Sequence, residues 1–284
     1  MTTNGEFRVC TDDPNDTSFS SQPPETTTMA AITEHTSYVH PHGAPPKGTI
    51  LMVASSPTIS SQTGWPIGFW ASELTHPMLA FRDAGYAVDI ASTEGGAIQM
   101  DGYSDPTHES MYSAHDVITL GFMQRPEFRQ MLENTRAIAN VDPAKYDAIY
   151  LVGGQGPMYT FRNNPTLQSL FRSFYESGRP SAVVCHAATL LLEVTTTDGH
   201  LIVTDKTWTG FSNAEEDYVE QAIGMRIQPY RIEDEAKKLP STTFKVSALL
   251  ASYAIADGNL ITGQQQNSGM AVAELVIQKL VSTT

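Results

Sequence analysis

The sequence predicts an α/β protein with a flavodoxin-like sandwich, in which helices cover both faces of a mostly parallel central sheet. Two observations lead to this class. Short apolar runs of strand length alternate with segments whose apolar residues recur at helical spacing. Several runs are continuously apolar, as expected for strands buried on both faces. This alternation is typical of strand-helix-strand units, whose ligands bind at the carboxyl ends of the strands.

The first strand-helix-strand unit begins at residue 49. The run Thr49–Ala54 has the composition of a buried strand, and Ala87–Ala91 has that of a second one. Between them the spacing predicts a helix that ends at Gly85. The apolar residues that define this helix are Trp70, Leu74, Met78 and Phe81.

The remaining elements follow a long polar stretch in which we expect short helices. The middle of the chain predicts strand Tyr146–Val152, helix Pro165–Ser177, strand Ser181–Val184 and helix Ala187–Leu192. The last third predicts strands at Leu201–Val203 and Trp208–Phe211, a hairpin over Ala254–Thr262 and a closing helix at Gly269–Leu280. Asp257 and Gly258 are typical residues for the turn of that hairpin.

The N-terminal residues 1–47 differ in composition from the rest of the chain. They are rich in Thr, Ser, Pro, Asp and Asn and lack aliphatic periodicity. Such a segment buries too little apolar surface to offset its chain entropy, so we expect a disordered or draped tail. Residues 48–284 are then expected to form a single domain, which suits a chain of this length.

Charge and cysteine content narrow the function classes. With 31 acidic and 17 basic residues the net charge is −14, which argues against nucleic acid or an anionic membrane as a partner. No apolar run reaches the roughly 20 residues of a membrane span, and no targeting segment is recognisable. The two cysteines, Cys10 and Cys185, do not form a disulfide framework. These features favour a reducing compartment, and we expect the cytoplasm.

Cys185 is the strongest candidate for chemistry. The strand Ser181–Val184 delivers it to a turn of small residues in front of a helix, beside His186. Free amide N–H groups and the helix dipole at such a turn are expected to favour the thiolate and to form an anion hole. The alternative is a structural cysteine, because free cysteines are among the most buried residues.

His186 needs an orienting carboxylate to act as a base. The candidates are Glu215, Glu216 and Asp217, which open a predicted helix behind a Ser or Asn cap. Acidic residues in a first helical turn also serve simply as partners of the helix dipole, so both interpretations stay open.

Glu73 lies in an aromatic, nearly uncharged segment. An acid buried there would hold its proton unusually well. Pro77 lacks the N–H that would bond the carbonyl of Glu73, so we expect a distorted helix at this acid. An exposed glutamate near the start of a helix is the alternative.

Other motifs give no cofactor site. The glycines at 153, 154 and 156 supply a flexible turn with free amide donors, but they do not form a dinucleotide-binding motif. No P-loop and no GxSxG motif is present. The tail histidines, His35, His40 and His42, lack partner cysteines for zinc. We therefore expect neither a metal nor a cofactor.

Several segments, in their order along the chain, resemble the ThiJ/PfpI superfamily, whose fold is similar to that of class I glutamine amidotransferase domains. The match is most specific for the glyoxalase III and chaperone branch and covers about residues 49–280. The matching segments are residues 68–77, 84–92, 152–154, 184–186, 209–216 and 257–263.

The resemblance implies roles for individual residues. Cys185 would be the nucleophile, His186 the base, Glu216 the acid that orients the histidine, and Glu73 the acid beside the sulfur. Gly154 and His186 would offer backbone N–H groups to an oxyanion. The residues expected to form the oxyanion and substrate-binding part of the site are Gly153, Gly154, Gln155, Trp208 and Phe69.

The sequence departs from the pattern of that branch around the nucleophile. Gln155 stands where the branch usually has a histidine, and a glutamine cannot shuttle a proton near neutral pH. Ala187 and Ala188 replace the usual Gly-Pro, and Gln264 begins a segment that differs from the usual Asn-Pro-Ala-Ser. Trp208 adds a bulky side chain. These changes predict retained covalent chemistry with an altered pocket.

The resemblance implies a cofactor-free lyase that converts a 2-oxoaldehyde, methylglyoxal or a larger reactive carbonyl, to a 2-hydroxy acid, in a homodimer. Two other functions stay open. One is a cysteine hydrolase or hydratase acting on an amide, ester or nitrile-like group. The other is a non-catalytic stress protein, either a holdase or a thiol sensor.

Overall fold

The computed structural model describes residues 45–283, and the predicted tail therefore lies almost entirely outside the described residues. The strands are β1 Thr49–Ala54, β2 Thr58–Ile59, β3 Pro66–Ile67, β4 Ala87–Ser92, β5 Arg136–Ala137, β6 Ala148–Leu151, β7 Ser181–Val184, β8 Thr207–Trp208, β9 Thr243–Phe244, β10 Ala254–Asp257 and β11 Leu260–Gly263. The α-helices are α1 Ala71–Asp83, α2 Val117–Met123, α3 Pro126–Glu133, α4 Pro157–Thr160, α5 Pro165–Glu176, α6 Asn213–Ile223, α7 Ile232–Ala236 and α8 Gly269–Thr283. Short 3₁₀ helices cover Gly102–Ser104, Ile138–Asn140, Pro143–Lys145, Cys185–Leu192 and Gln266–Ser268.

Seven strands form the central sheet in the order β10-β11-β7-β6-β1-β4-β5. All neighbours are parallel except β10 and β11, which form the predicted antiparallel hairpin. Strand β1 lies between β4 and β6, and its Ile50 is aligned with Val88 on one side and with Ala148 on the other. The predicted α/β class with a mostly parallel sheet is confirmed.

Helices pack around this sheet and cover its apolar strands. Helix α1 packs against α8 and α2, and α5 packs against β6 and β7. The four residues of β6 and the four of β7 are all buried. These continuously apolar strands need cover on both faces, and the helices supply it. None of the described helices is long and apolar enough to cross a membrane.

Three predicted elements differ in the structure. Residues 201–203 form a turn with one isolated bridge from Leu201 to Thr195, although Ile202 and Val203 are buried. Three consecutive apolar residues favour a buried position. A buried turn provides such a position as well as an extended strand does. The segment at Trp208 pairs only with β9, outside the central sheet. The segment after Cys185 is helical as predicted, but it is a 3₁₀ helix.

Candidate active site

Cys185 lies immediately beyond the carboxyl end of β7, where the chain turns into the 3₁₀ helix Cys185–Leu192. Its backbone is left-handed, with φ of 58°, and its side chain is 2% exposed. A non-glycine residue held in this conformation costs on the order of 1–3 kcal/mol, and such strain is concentrated at functional sites. The strained turn aims the sulfur away from the strand and into the region above the sheet edge.

Glu73 approaches the same sulfur from α1. The side chain is fully buried, and its carboxyl faces the Cys185 thiol and the backbone N–H of Gly153. Neither carboxyl oxygen has a hydrogen-bond partner of ordinary geometry among the described residues. Burial raises the pKa of Glu73 to about 8, so this acid carries a proton at neutral pH. Helix α1 runs on through Pro77 without a break.

The thiol of Cys185 is not acidified overall by its turn. Burial and the nearby Glu73 raise its pKa well above the ordinary value, while the N–H groups of Gly154 and His186 lower it by a smaller amount. The expectation that the amide donors of the turn favour the thiolate agrees with the direction of their effect, but burial and Glu73 raise the pKa of the thiol overall. Amide donors do face the sulfur, but desolvation outweighs them.

His186 lies on the other side of the sulfur. Its Nδ1 is 3.4 Å from Cys185 Sγ, and its Nε2 is 3.1 Å from Oε1 of Glu216. A carboxylate accepts the Nε2–H hydrogen, which leaves the lone pair of Nδ1 facing the thiol. The ring is 6% exposed and stacks on Phe211 at 4.1 Å between centroids. The arrangement positions the imidazole to take the thiol proton.

The N-terminal turn of α6 selects Glu216 among the three candidate acids. Ser212 caps the helix, and Glu215 completes a capping box with it. Glu215 also accepts a hydrogen bond from the Gln264 amide at 2.8 Å, and Asp217 pairs with Arg231. Because Glu215 is held in the cap, the next residue, Glu216, faces His186.

The glycine pair after β6 allows the close approach of these groups. A side-chain carbon at Gly153 would lie 2.3 Å from Oε2 of Glu73 and 2.8 Å from the Cβ of Cys185. Gly154 has φ of 105°, a conformation that side chains disfavour. Any residue larger than glycine at 153 would separate the acid from the sulfur.

Asp101 holds the glycine turn in place and was not recognised from the sequence. One carboxyl oxygen accepts the N–H of Gly68 at 2.8 Å, and the other accepts the N–H of Gln155 at 2.7 Å. Asp101 is fully buried, and burial raises its pKa. It lies in a loop between elements, where neither spacing nor a motif marks it.

A cavity of about 110 Å³ opens beside the sulfur. Cys185, His186, Glu216, Gly154 and Gln155 line it, and Gly153 lies behind them next to Glu73. Most of the lining is apolar, and the sequence had indicated little of it. The further lining residues are Trp65, Trp70, Tyr103, Tyr112, Phe211, Tyr218, Val219, Ala222, Ile223, Ile227, Gln228, Leu250 and Gln266.

Three residues expected in the substrate-binding part, Gly153, Trp208 and Phe69, are not among the lining residues. Trp208 is buried against Phe244, and its indole N–H donates to Thr242 at 2.8 Å. Phe69 is also buried, and its backbone bonds to residues 99 and 101. Both positions were inferred from neighbouring motifs. The side chains of Trp208 and Phe69 pack in the protein interior, because bulky apolar groups gain most from full burial.

Within residues 45–283, no group of three or more His, Cys, Asp or Glu side chains is arranged to hold a metal ion. The polar groups around the sulfur are one carboxyl, one imidazole and backbone amides. Such a set can move protons and stabilise an oxyanion next to a thiol.

The fold and the site together define a class of α/β proteins in which a buried cysteine follows a central parallel strand, between a carboxyl group and an oriented histidine. The chain belongs to the DJ-1/PfpI family, whose family model matches residues 67–279. This confirms the resemblance inferred from the sequence segments.

Similar proteins come from fungi and bacteria. The chain is 31% identical over 238 residues to the "probable glutathione-independent glyoxalase hsp3103" of Schizosaccharomyces pombe, covering 75% of this chain and 90% of that protein. It is 26% identical over 216 residues to "Glyoxalase 3" of Candida albicans, with coverage of 75% and 90%.

Solved structures show the same fold. Rapid Encystment Protein 24 kDa of Francisella tularensis superposes with a TM-score of 0.74 at 29% identity, covering 82% of this chain and 99% of that one. Glyoxalase III of Candida albicans superposes with a TM-score of 0.69 at 22% identity, covering 82% and 97%, which shows the shared fold.

Proposed function

We propose that this protein is a cofactor-independent lyase of the glyoxalase III type, which converts a 2-oxoaldehyde to a 2-hydroxy acid through an adduct on Cys185. One observation carries the proposal. The sulfur lies between a carboxyl group that holds its proton at neutral pH, Glu73, and a histidine nitrogen at 3.4 Å that can accept one. An acid and a base flanking a nucleophile are what this isomerisation requires.

In the first step His186 takes the thiol proton, and the sulfur adds to the aldehyde carbon, C1. Glu73 lies beside the sulfur and can donate a proton to the oxygen that becomes negative in this addition. The N–H groups of Gly154 and His186, which already face the sulfur, stabilise that oxygen. The product of this step is a hemithioacetal on Cys185.

In the second step a base removes the C1 proton, and an enediol forms between C1 and C2. Reprotonation at C2 gives a thioester of the 2-hydroxy acid, and water then releases the acid and regenerates the thiol. The overall change adds one water molecule to the 2-oxoaldehyde, with no net oxidation or reduction. The comparisons support this proposal, because a relative at 31% identity is named a probable glutathione-independent glyoxalase and a relative at 26% identity is named Glyoxalase 3.

The test is product analysis by NMR with methylglyoxal in D₂O. We expect lactate with deuterium at C2, since the enediol step exchanges the transferred proton with solvent. Cys185→Ala should form no lactate above the uncatalysed rate. Cys10→Ala, which removes the other cysteine of the sequence, should retain full activity.

Two results would replace the proposal. An acyl or imidate adduct on Cys185, formed from an amide, ester or nitrile without any hydroxy acid from 2-oxoaldehydes, would favour a hydrolase or hydratase. Suppression of protein aggregation by Cys185→Ala, in a protein without turnover, would favour a holdase. Mass spectrometry of the intact protein and light scattering distinguish these outcomes.

The proposal includes the partner of the protein, its oligomeric state and its cellular compartment. A small carbonyl compound is the proposed partner, and a cytoplasmic homodimer is the proposed form. A reducing compartment would keep the thiol of Cys185 available for addition. Multi-angle light scattering measures the mass in solution, and fractionation of cells locates the chain.

A further inference from the structure

We infer that the cavity beside Cys185 selects a neutral 2-oxoaldehyde whose substituent is apolar and at least as large as a phenyl ring or a branched chain. This inference rests on the proposed function and names the substrate class of that site. Methylglyoxal carries only a methyl group beyond its two carbonyl carbons, and the cavity extends well past the space that a methyl group fills.

An aromatic wall forms one side of the cavity. Trp65 and Tyr103 have ring centroids 6.1 Å apart, and Tyr103 and Tyr112 meet edge to face at 6.2 Å. Tyr112 in turn meets Trp70 edge to face at 6.1 Å. All four residues line the cavity. A continuous row of rings offers a flat apolar group both area and favourable edge or face contacts.

Helix α6 forms a second part of the lining. Val219, Ala222 and Ile223 line the cavity along the helix that carries Glu216, and Ile227 follows just beyond its end. The helix rises about 1.5 Å per residue, so Ile223 lies roughly 10 Å along the axis from Glu216. The apolar lining therefore continues for two helical turns beyond the groups that flank the sulfur.

The size of the cavity agrees with this interpretation. Its volume of about 110 Å³ is close to that of apolar protein cavities, on the order of 150 Å³, which accept a benzene ring. A phenyl group would displace water from both walls at once, and burial of a group of that size is a main source of binding free energy.

The charges of the cavity exclude anionic substrates. No lysine or arginine is among its described lining residues, and its one acid, Glu216, pairs with His186. A phosphate or carboxylate on the substituent would be buried without a counter-charge. Gln155 and Gln228 line the cavity, and the amide oxygen of each is buried without a hydrogen-bond partner among the described residues. These side chains supply neutral polar contacts for hydroxyl or carbonyl groups of the substrate.

The experiment compares kcat/KM for phenylglyoxal, methylglyoxal and 4-carboxyphenylglyoxal, with Cys185→Ala as the blank for each compound. We expect phenylglyoxal to exceed methylglyoxal by at least about tenfold, and the carboxylated compound to fall below phenylglyoxal by a similar factor. Ala222→Phe fills the cavity from α6 and should lower the ratio of phenylglyoxal to methylglyoxal by at least about tenfold. Ala214 is exposed on α6, as Ala222 is, but it is not among the described residues that line the cavity, so Ala214→Phe should leave the ratio unchanged.

A binding measurement keeps this inference separate from the proposed function. Acetophenone lacks the aldehyde, and calorimetry with Cys185→Ala should show that it binds at least about tenfold more tightly than acetone. Turnover of methylglyoxal at or above the rate of phenylglyoxal, together with equal affinity for the two ketones, would overturn the inference and leave the proposed function standing. Tight binding of acetophenone without turnover of any 2-oxoaldehyde would overturn the proposed function and leave the apolar site.

Discussion

Replacement of Glu73 by glutamine should change how the stability of the protein depends on pH. The carboxyl is fully buried, it has no hydrogen-bond partner of ordinary geometry within the part of the chain that the structure describes, and burial raises its pKa from 4.5 to about 8. Between these pH values the folded protein holds a proton that the unfolded chain has released. The free energy of unfolding therefore falls as pH rises, because the native state binds more protons. Glutamine has nearly the same shape and cannot ionise.

The magnitude follows from the size of the pKa shift. The interval from 4.5 to about 8 corresponds to a total change of roughly 5 kcal/mol, since each pKa unit equals about 1.4 kcal/mol. This part of the stability is fully present below pH 4.5, declines through the interval and is lost above about pH 8. Titrating groups that are not coupled to Glu73 contribute equally to both proteins, so the difference between wild type and Glu73→Gln reports this carboxyl together with its coupling to Cys185 and Asp101.

Urea denaturation at a series of pH values from 5 to 9 measures this difference. We expect the stability of wild type relative to Glu73→Gln to decrease by several kcal/mol across the series. Cys185→Ala serves as the control, because it removes the thiol while the largest cause of the Glu73 shift, burial, remains, and its stability should still decrease as pH rises. Parallel curves for wild type and Glu73→Gln would show that the acid is ionised in the folded protein, and the proposed proton donor would be lost.

Three further substitutions test the arrangement around the sulfur. Glu216→Gln removes the carboxylate that fixes the Nε2–H form of His186. The value of kcat should therefore fall at least about tenfold, with little change in KM. An unchanged kcat would show that His186 does not need Glu216 to hold its orientation. Gly153→Ala places a carbon 2.3 Å from the Glu73 carboxyl oxygen, and urea denaturation should show that the free energy of unfolding falls by about 1–3 kcal/mol. An unchanged free energy of unfolding would show that the backbone around residue 153 can shift without cost. Asp101→Asn leaves either the N–H of Gly68 or that of Gln155 without its acceptor, so the free energy of unfolding should fall by about 1–3 kcal/mol. A smaller decrease would show that the glycine turn keeps its conformation without these hydrogen bonds.

The sequence predicted the central sheet well because its signals are local. The strands at 49, 87, 148 and 181 are short, mostly apolar segments, and the hairpin at 254–263 forms as predicted, although its turn is Gly258–Asn259, one residue later than expected. The predicted strand at residues 201–203 is wrong, because these residues are apolar on account of their burial and not of an extended conformation. Hydrophobicity reports whether a segment is covered, and it does not distinguish a strand from a buried turn.

The candidate site could be predicted only in part. The four residues expected to perform catalysis come together, since each followed from a motif or from local composition. Asp101 and the aromatic wall come from loops, where spacing carries no information about which side chains meet. Trp208 was placed near the substrate because it is next to a matching segment, but its side chain points into packing. The opposing effects of burial and amide donors on the thiol depend on distances in three dimensions.

Helix α6 supplies both Glu216, which orients His186, and one wall of the cavity. These two roles of one helix constrain how such an enzyme can evolve. A shift of the helix that enlarged the cavity would also pull Glu216 away from the imidazole. On this part of the cavity, adaptation to a different substituent must therefore proceed by exchange of side chains at Val219, Ala222 and Ile223, on a helix whose path stays fixed. Descendants of this protein could then change their substrate range at these positions while they inherit the geometry of proton transfer intact.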